Sequence, residues 1–383
     1  MDKNYFEQMQ PFGAAISEQK IITPNEYAHM VVKNFITKYP LAHKAMQQTS
    51  HNEPTMLSDW HLEGSIWTHT MMVLSFVCHH ANQTTSNYKM LLLAALLHDI
   101  GKVHTREIKT DKEKVTFYGH SGVSTFIARD LLDQLDPFLT TYQKIYTLRL
   151  INLHQILFNV NDDMSDKSAS KFIAKFNQNE DSFLFNDISY LRKADTAGRI
   201  SIHPGVTTSK KLEELETTLL YMNRTATPRV NESLPNAVIL VGLPGAGKST
   251  YAKQNFPHYT LISRDAQIEN LAPGLPYNEA FNTVDQKEAD ALYEHHFSTT
   301  MGKLQNLVID KTNLTHKSRM KSITRLQAKR YNVQVIVLMP TLETIYQRNL
   351  KRVNKTIPQK VIHRMMTTFE MPFQNEGQTE YLF

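Results

Sequence analysis

The stretch Gly242-Leu-Pro-Gly-Ala-Gly-Lys-Ser-Thr250 constrains this chain more than any other. It follows the apolar run Ala237-Val-Ile-Leu-Val241, which reads as a buried parallel strand, and Ser249 to Phe256 can continue as a helix. Strand, glycine-rich turn and helix in that order make a phosphate-binding loop. Gly242, Gly245 and Gly247 let backbone N–H groups turn inward around phosphates, with Pro244, Ala246 and Thr250 filling the remaining positions, and the helix N-terminus adds partial positive charge. Lys248 is expected to bridge the β- and γ-phosphates and Ser249 to hold Mg²⁺. The loop therefore calls for ATP with Mg²⁺ and for an α/β domain around it. It leaves open what receives the phosphate.

A chain of 383 residues has room for two or three domains, each expected to have its own core. Its hydrophobic fraction of 41 % and charged fraction of 21 % are ordinary for a soluble protein. No run approaches the ~18 apolar residues of a membrane span, and Met1-Asp-Lys-Asn-Tyr-Phe lacks a signal pattern. Cys78 is the single cysteine, so no intramolecular disulfide can form; a cytoplasmic location without a membrane partner is expected. From residue 226 onward Lys and Arg exceed Asp and Glu by 19 to 13, a balance that favours polyanionic ligands.

Thr225 to Pro235 carries two prolines and neither helical nor strand periodicity, which predicts a linker at 226–235 between domains at 1–225 and 236–383. Upstream, the spacing predicts helices over Tyr27–Tyr39, Trp67–Asn82, Tyr88–His98, His120–Leu135, Leu139–His154, Ser168–Phe176, Phe183–Ala194 and Lys210–Asn223, with little strand signal. Downstream, β-rich runs at Val238–Val241, Thr260–Ile262, Leu307–Ile309 and Val333–Leu338 alternate with helical segments, which predicts a central parallel sheet. The fold expected is an all-α bundle followed by an α/β domain.

Several of the 17 histidines stand at telling places. The apolar helix Leu91–Leu97 ends in His98-Asp99, followed by Gly101-Lys102, and an unpaired Asp is almost never fully buried. Imidazole nitrogen with carboxylate oxygen suits a divalent transition metal or Mn²⁺. His69 lies on a second amphipathic helix and Asp195 ends a third, in Ala194-Asp-Thr-Ala-Gly-Arg199, with His120 and His154 between them. This order resembles the HD phosphohydrolase superfamily over about residues 50 to 200. The resemblance implies that His69, His98, Asp99 and Asp195 bind a metal, that His120 and His154 serve a second metal or a phosphate pocket, and that one of the latter two protonates the leaving oxygen. Lys102 and Arg199 are candidate contacts for substrate phosphate. Trp60-His-Leu-Glu-Gly64 with Trp67-Thr-His69 is also similar to the HD modules of bacterial tRNA nucleotidyltransferases.

In the C-terminal third, the second predicted strand ends in Ile262-Ser-Arg-Asp265, placing a carboxylate where an attacking hydroxyl needs a base. Val308-Ile-Asp-Lys-Thr-Asn313 closes the third strand, and Arg348 and Arg352, four apart, share one face if both are helical. Together these resemble the polynucleotide 5′-hydroxyl kinases of phage and eukaryotic end-healing enzymes, which implies Asp265 as general base, Arg348 and Arg352 as ATP contacts, and Arg264 and Asn313 as candidate substrate-phosphate contacts. One departure is clear: that family carries an acceptor-side arginine where this chain has Ile268, so Arg264 or Arg319 is the expected substitute.

The two halves in this order resemble the bacterial HD-Pnk family of RNA end-healing enzymes. The resemblance implies ATP-dependent phosphorylation of 5′-OH ends, metal-dependent removal of 2′,3′-cyclic, 2′- or 3′-phosphates, RNA or DNA ends as substrates, and a separate ligase as partner. The competing expectation is a nucleotidase fused to a small-molecule kinase.

Overall fold

The computed structural model describes residues 23–81, 87–176, 181–202, 209–221, 231 and 233–383. The expected boundary at 225 and most of the expected linker lie outside the described residues. The helical half runs α1 (Pro24–Lys38), α2 (Pro40–Gln48), α3 (Ile66–Ala81), α4 (Tyr88–Leu97) and the short α5 (Lys102–Thr105). The hairpin β1 (Glu107–Lys109) and β2 (Lys114–Thr116) follows. Then come α6 (His120–Leu135), α7 (Thr141–Leu153), α8 (Asp166–Ala174), α9 (Asp181–Ala197) and α10 (Lys210–Tyr221). Helix starts are written locally. Thr23 with Glu26, and Thr140 with Gln143, close capping boxes at α1 and α7. Helix α4 is apolar all round and buried from Met90 to Leu97, so it is the central rod of the bundle and delivers His98-Asp99 to the interior.

The second half places helices around a five-stranded sheet. It comprises β3 (Asn236–Val241), α11 (Lys248–Asn255), β4 (Thr260–Ser263), α12 (Arg264–Leu271), α13 (Tyr277–Thr283), α14 (Gln286–Gly302) and β5 (Leu307–Asp310). These are followed by α15 (His316–Ala328), β6 (Asn332–Leu338), α16 (Leu342–Leu350), α17 (Gln359–Met366) and β7 (Gln378–Leu382). The strand order is β4-β5-β3-β6-β7, all pairs parallel. With β3 central, the loop leaving its carboxyl end opens beside the end of β5, where ligands bind in such sheets. The sequence pattern misses α2, the β1–β2 hairpin and β7. Strand β7 (Gln-Thr-Glu-Tyr-Leu) is polar because it is an edge, paired only with β6.

The expectation of separate cores is corrected. One hydrophobic cluster contains α4 and α6 residues together with Ile345, Ile362, Met366, Phe369 and Phe373 of the second half. Helix α6 meets α17 so closely that a Cβ added at Gly122 would lie 2.2 Å from Met366 O. Phe126 packs on Phe369 and Phe176 on Phe373, with centroids 4.9 and 5.6 Å apart. Buried Asn152 stitches the halves: its Nδ2 donates to Phe369 O (3.1 Å) and its Oδ1 accepts from Met371 N (2.8 Å). Arg129 Nε donates to Met339 O (2.6 Å), and Asp130 Oδ2 accepts from Leu342 N at the start of α16 (3.0 Å).

Replacing Asn152 by Ala strands the Met371 N–H and the Phe369 C=O in the shared core, at a cost on the order of 2 kcal/mol. Differential scanning calorimetry should show a lowered melting temperature for Asn152→Ala; an unchanged one contradicts the shared core.

Candidate active sites

Five segments bring the HD-type residues to one point. His69 lies on α3, His98 and Asp99 follow α4, His120 opens α6, His154 follows α7, and Asp195 lies near the end of α9. All six are buried. Three imidazoles are oriented by the same local device, each Nδ1 bonded to the carbonyl three residues earlier: His98 to Ala95 O (2.9 Å), His120 to Phe117 O (2.8 Å) and His154 to Ile151 O (2.7 Å). His69 Nδ1 instead reaches across to Gly198 O (3.0 Å), where α9 runs so close to α3 that a Cβ on Gly198 would sit 2.5 Å from Val73 Cγ2. A carbonyl accepts only, so each Nδ1 donates and leaves Nε2 as the inward-facing atom of its ring.

Those Nε2 atoms converge on one carboxylate. Asp99 Oδ2 lies 3.5 Å from His69 Nε2 and 3.4 Å from His98 Nε2, while Oδ1 lies 3.1 Å from His120 Nε2 and 3.8 Å from His154 Nε2. Asp195 Oδ1 is 3.0 Å from His69 Nε2. Two ligand sets result, His69/His98/Asp99 and Asp99/His120/His154, sharing Asp99. His69 Nε2, His98 Nε2 and Asp99 Oδ2 make no hydrogen bond; Lys102 Nζ is only 2.7 Å from Oδ2, but as an ion pair without hydrogen-bond geometry. Buried atoms left so fit a divalent cation. Burial alone would raise both carboxyls, yet the His98 and Lys102 charges hold Asp99, and Arg199 holds Asp195, well below the usual carboxylate range. Burial and the charges of His120 and His98 push His154 down to about 3, the neutral form that metal binding calls for.

A second layer of side chains, with no role assigned from the sequence, surrounds this centre. His51 Nε2 lies 3.1 Å from Lys102 Nζ, and the His51 ring stacks on His61 at 4.2 Å. His61 Nδ1 and His69 Nδ1 lie 2.7 and 3.1 Å from Glu63 Oε1. His61 and Glu63 stand two apart in the turn that leads into α3, within the Trp60–Gly64 motif, which is the available signal. Arg199 NH2 pairs with Asp195 Oδ2 at 2.6 Å, so its guanidinium already serves the cluster.

In the second half, Gly247 in the left-handed region (φ 101°) caps α11, and Gly245 (φ 87°) sits where a Cβ would approach Ile345 O to 2.7 Å. Helix α16 therefore lies directly on the loop, and Arg348 NH1 donates to Ala246 O (3.2 Å). Lys248 Nζ donates to Gly242 O and Leu243 O (2.9 and 3.0 Å). Ser249 Oγ donates to Asp310 Oδ2 at 2.6 Å, which adds a carboxylate beside the expected Mg²⁺ ligand. The two arginines do not share a helical face, because α16 ends at Leu350; Arg352 follows the cap. Its NH1 is buried without a hydrogen bond, and its charge acts on Lys248.

Asp265 lies in the first turn of α12, and its Oδ1 accepts from Tyr277 OH on α13 (2.8 Å). Burial, and then the Asp265 charge, raise the Tyr277 phenol far above its usual range, so it stays a donor. Ile268 is buried against Ala280 and Ala289 and faces a small core between α12, α13 and α14. The expected substitutes are otherwise engaged. Arg319 is fully buried, paired with Glu376 and donating to Asn313 O, Leu314 O and Glu370 O, so it holds the fold. Arg264 pairs with Asp290 (2.6 Å) and Gln286. Asn313, in the left-handed region (φ 48°), donates its amide to Leu240 O (2.9 Å), which ties the segment after β5 to β3.

Comparison with known proteins matches an HD domain model to residues 66–176 and an AAA domain model to residues 238–372. Among solved structures, the chain is similar to one from the PezAT chromosomal toxin–antitoxin system of Streptococcus pneumoniae. The identity is 22 % over 32 % of this chain and 54 % of that one, about half its length, with a TM-score of 0.27. Chaetomium thermophilum Kti12 in complex with ADP-AlF3 matches at 14 % identity over 38 % of this chain and 88 % of that one (TM-score 0.30). A gluconokinase from Sinorhizobium meliloti matches at 16 % identity over 39 % and 82 % (TM-score 0.28). The chain thus joins an HD domain to a P-loop domain, and among the described residues no helix is long and apolar enough to cross a membrane.

Burial pushes the Lys248 ammonium down to about 8, with Asp310 opposing and Arg352 adding to the effect. The triphosphate favours the protonated lysine, so above that value binding must first take up a proton. ATP affinity measured by calorimetry should fall about tenfold between pH 7 and 9, whereas a flat profile contradicts the assignment.

Proposed function

We propose that the chain is a bifunctional nucleic-acid end-healing enzyme of the HD-Pnk type, with the helical domain (1–225) removing phosphate and the P-loop domain (236–383) adding it. The observation that carries the first half is the pair of ligand sets sharing buried Asp99, which fits two divalent cations. A bound divalent cation would supply Lewis-acid stabilisation of phosphoryl oxygens and an activated water. The chain's own residues do the rest. Lys102 and Arg199 stand beside the two carboxylates as cations for the substrate phosphate. His120 and His154, Nε2 atoms 3.2 Å apart, hold the far side of the centre. The buried walls exclude bulk water and so strengthen every charge interaction within.

In the kinase half, Lys248, Arg348 and Arg352 surround the place for the ATP phosphates, and Ser249 with Asp310 would hold Mg²⁺. Asp265, held by Tyr277, accepts the proton of the 5′-hydroxyl as its oxygen attacks the γ-phosphorus and ADP leaves. The pairing has a chemical logic. Strand cleavage through the 2′-OH leaves a 2′,3′-cyclic phosphate and a 5′-OH, and a ligase that joins 3′-OH to 5′-phosphate needs both converted. RNA ends are therefore the substrate class, in the cytoplasm, with a separate ligase as the consumer.

A synthetic RNA with a 5′-OH and a 2′,3′-cyclic phosphate, incubated with ATP and a panel of divalent metals, tests both halves. Both ends should be converted; Asp265→Asn should lower 5′ phosphorylation about 100-fold or more while sparing phosphate removal, and His98→Ala should do the reverse. Transfer to free nucleosides or other small molecules but not to RNA would favour the nucleotidase and small-molecule kinase reading.

A further inference from the structure

Beside the metal centre, His51, His61 and Glu63 form a third group with metal-ligand spacing. Its lone pairs are already spoken for. Lys102 Nζ lies against His51 Nε2 at 3.1 Å, so that ring nitrogen already has the ammonium as its partner. Glu63, whose side chain has no exposed surface, gives Oε1 to both His61 Nδ1 and His69 Nδ1 and Oε2 to Ile200 N (3.0 Å). The cluster is therefore a support.

Glu63 is fixed from both sides. Leu62 N donates to Ile200 O (2.8 Å) and Ile202 N to Asp59 O (3.1 Å), so segment 59–63 is clamped to the stretch that follows Asp195 and Arg199. One carboxylate thus touches ligand His69 on α3 and the backbone beyond ligand Asp195 on α9. His69 Nδ1 donates to Gly198 O (3.0 Å) and pairs with Glu63 Oε1 at 3.1 Å, and of these two neighbours only Glu63 carries full charge. A charged acceptor on the outer nitrogen fixes the ring's tautomer and strengthens the inner nitrogen as a ligand.

We propose that Glu63 is the positioning carboxylate of His69 and sets the metal affinity of the HD centre. The proposal rests on the reading of His69, His98, Asp99 and Asp195 as metal ligands. In the full-length protein, Co²⁺ binding is measured by competition with a chromophoric chelator and by the visible absorption of the bound ion, with ATP binding as the check on folding. Glu63→Ala should weaken Co²⁺ binding about 10- to 100-fold, and the same-sized Glu63→Gln severalfold with a shifted spectrum, both with ATP binding intact. Co²⁺ affinity within twofold of the unmodified protein in Glu63→Gln, or in a folded Glu63→Ala, overturns the proposal. An unmodified protein that binds no Co²⁺ overturns the metal-centre reading instead.

Discussion

The helical half is organised around one buried carboxylate. Asp99 is 1 % exposed, and four imidazole Nε2 atoms and an ammonium crowd its two oxygens. Such a group is costly to bury unless cations compensate it. The chain meets this with helix ends. Helix α4 is apolar enough to run through the middle of the bundle, so its C-terminus delivers Asp99 to the interior; α6 and α7 then present His120 and His154 from the other side. Because three of the rings bond their Nδ1 to a carbonyl three residues back, ligand orientation is built into single turns of backbone and needs few long-range contacts.

The same helices bind the two halves together. Helix α6 begins at His120 in the metal centre, passes Gly122 against Met366, and reaches Asp130, which caps the start of α16. Helix α16 in turn lies on Gly245 and carries Arg348 to the phosphate loop. The hydrophobic cluster is continuous across this path. The two sites are joined by packed helices, with Asn152 and the 369–373 segment filling the seam.

What was legible in the sequence was what is local. The phosphate loop is nine consecutive residues, and α6 is bounded at His120 and Leu135 as its periodicity predicts. The histidines stood out because a buried helix ending in His-Asp has no packing explanation. What was not legible depends on tertiary pairing. Strand β7 lacks the apolar pattern of its neighbours because it is an edge. Arg319 looks like a basic-helix residue until Glu376, 57 positions away, closes on it in the core. Asn313 reads as a strand-end polar group, yet its amide is spent on Leu240. Glu63 and His51 gain their meaning only when residues 50–64 fold back over α3 and α9. The shared core was invisible because the apolar residues on both sides of the seam also serve their own helices.

Asp99 is the proposed shared anchor of the metal centre. Full-length protein, dialysed against Mn²⁺ or Co²⁺ without nucleotide, should hold two ions per chain by elemental analysis, matching the two ligand sets that share this carboxylate. Asp99→Asn, equal in size but uncharged, should lose them. Retention of both ions by Asp99→Asn, or an unmodified protein that holds none, would contradict it.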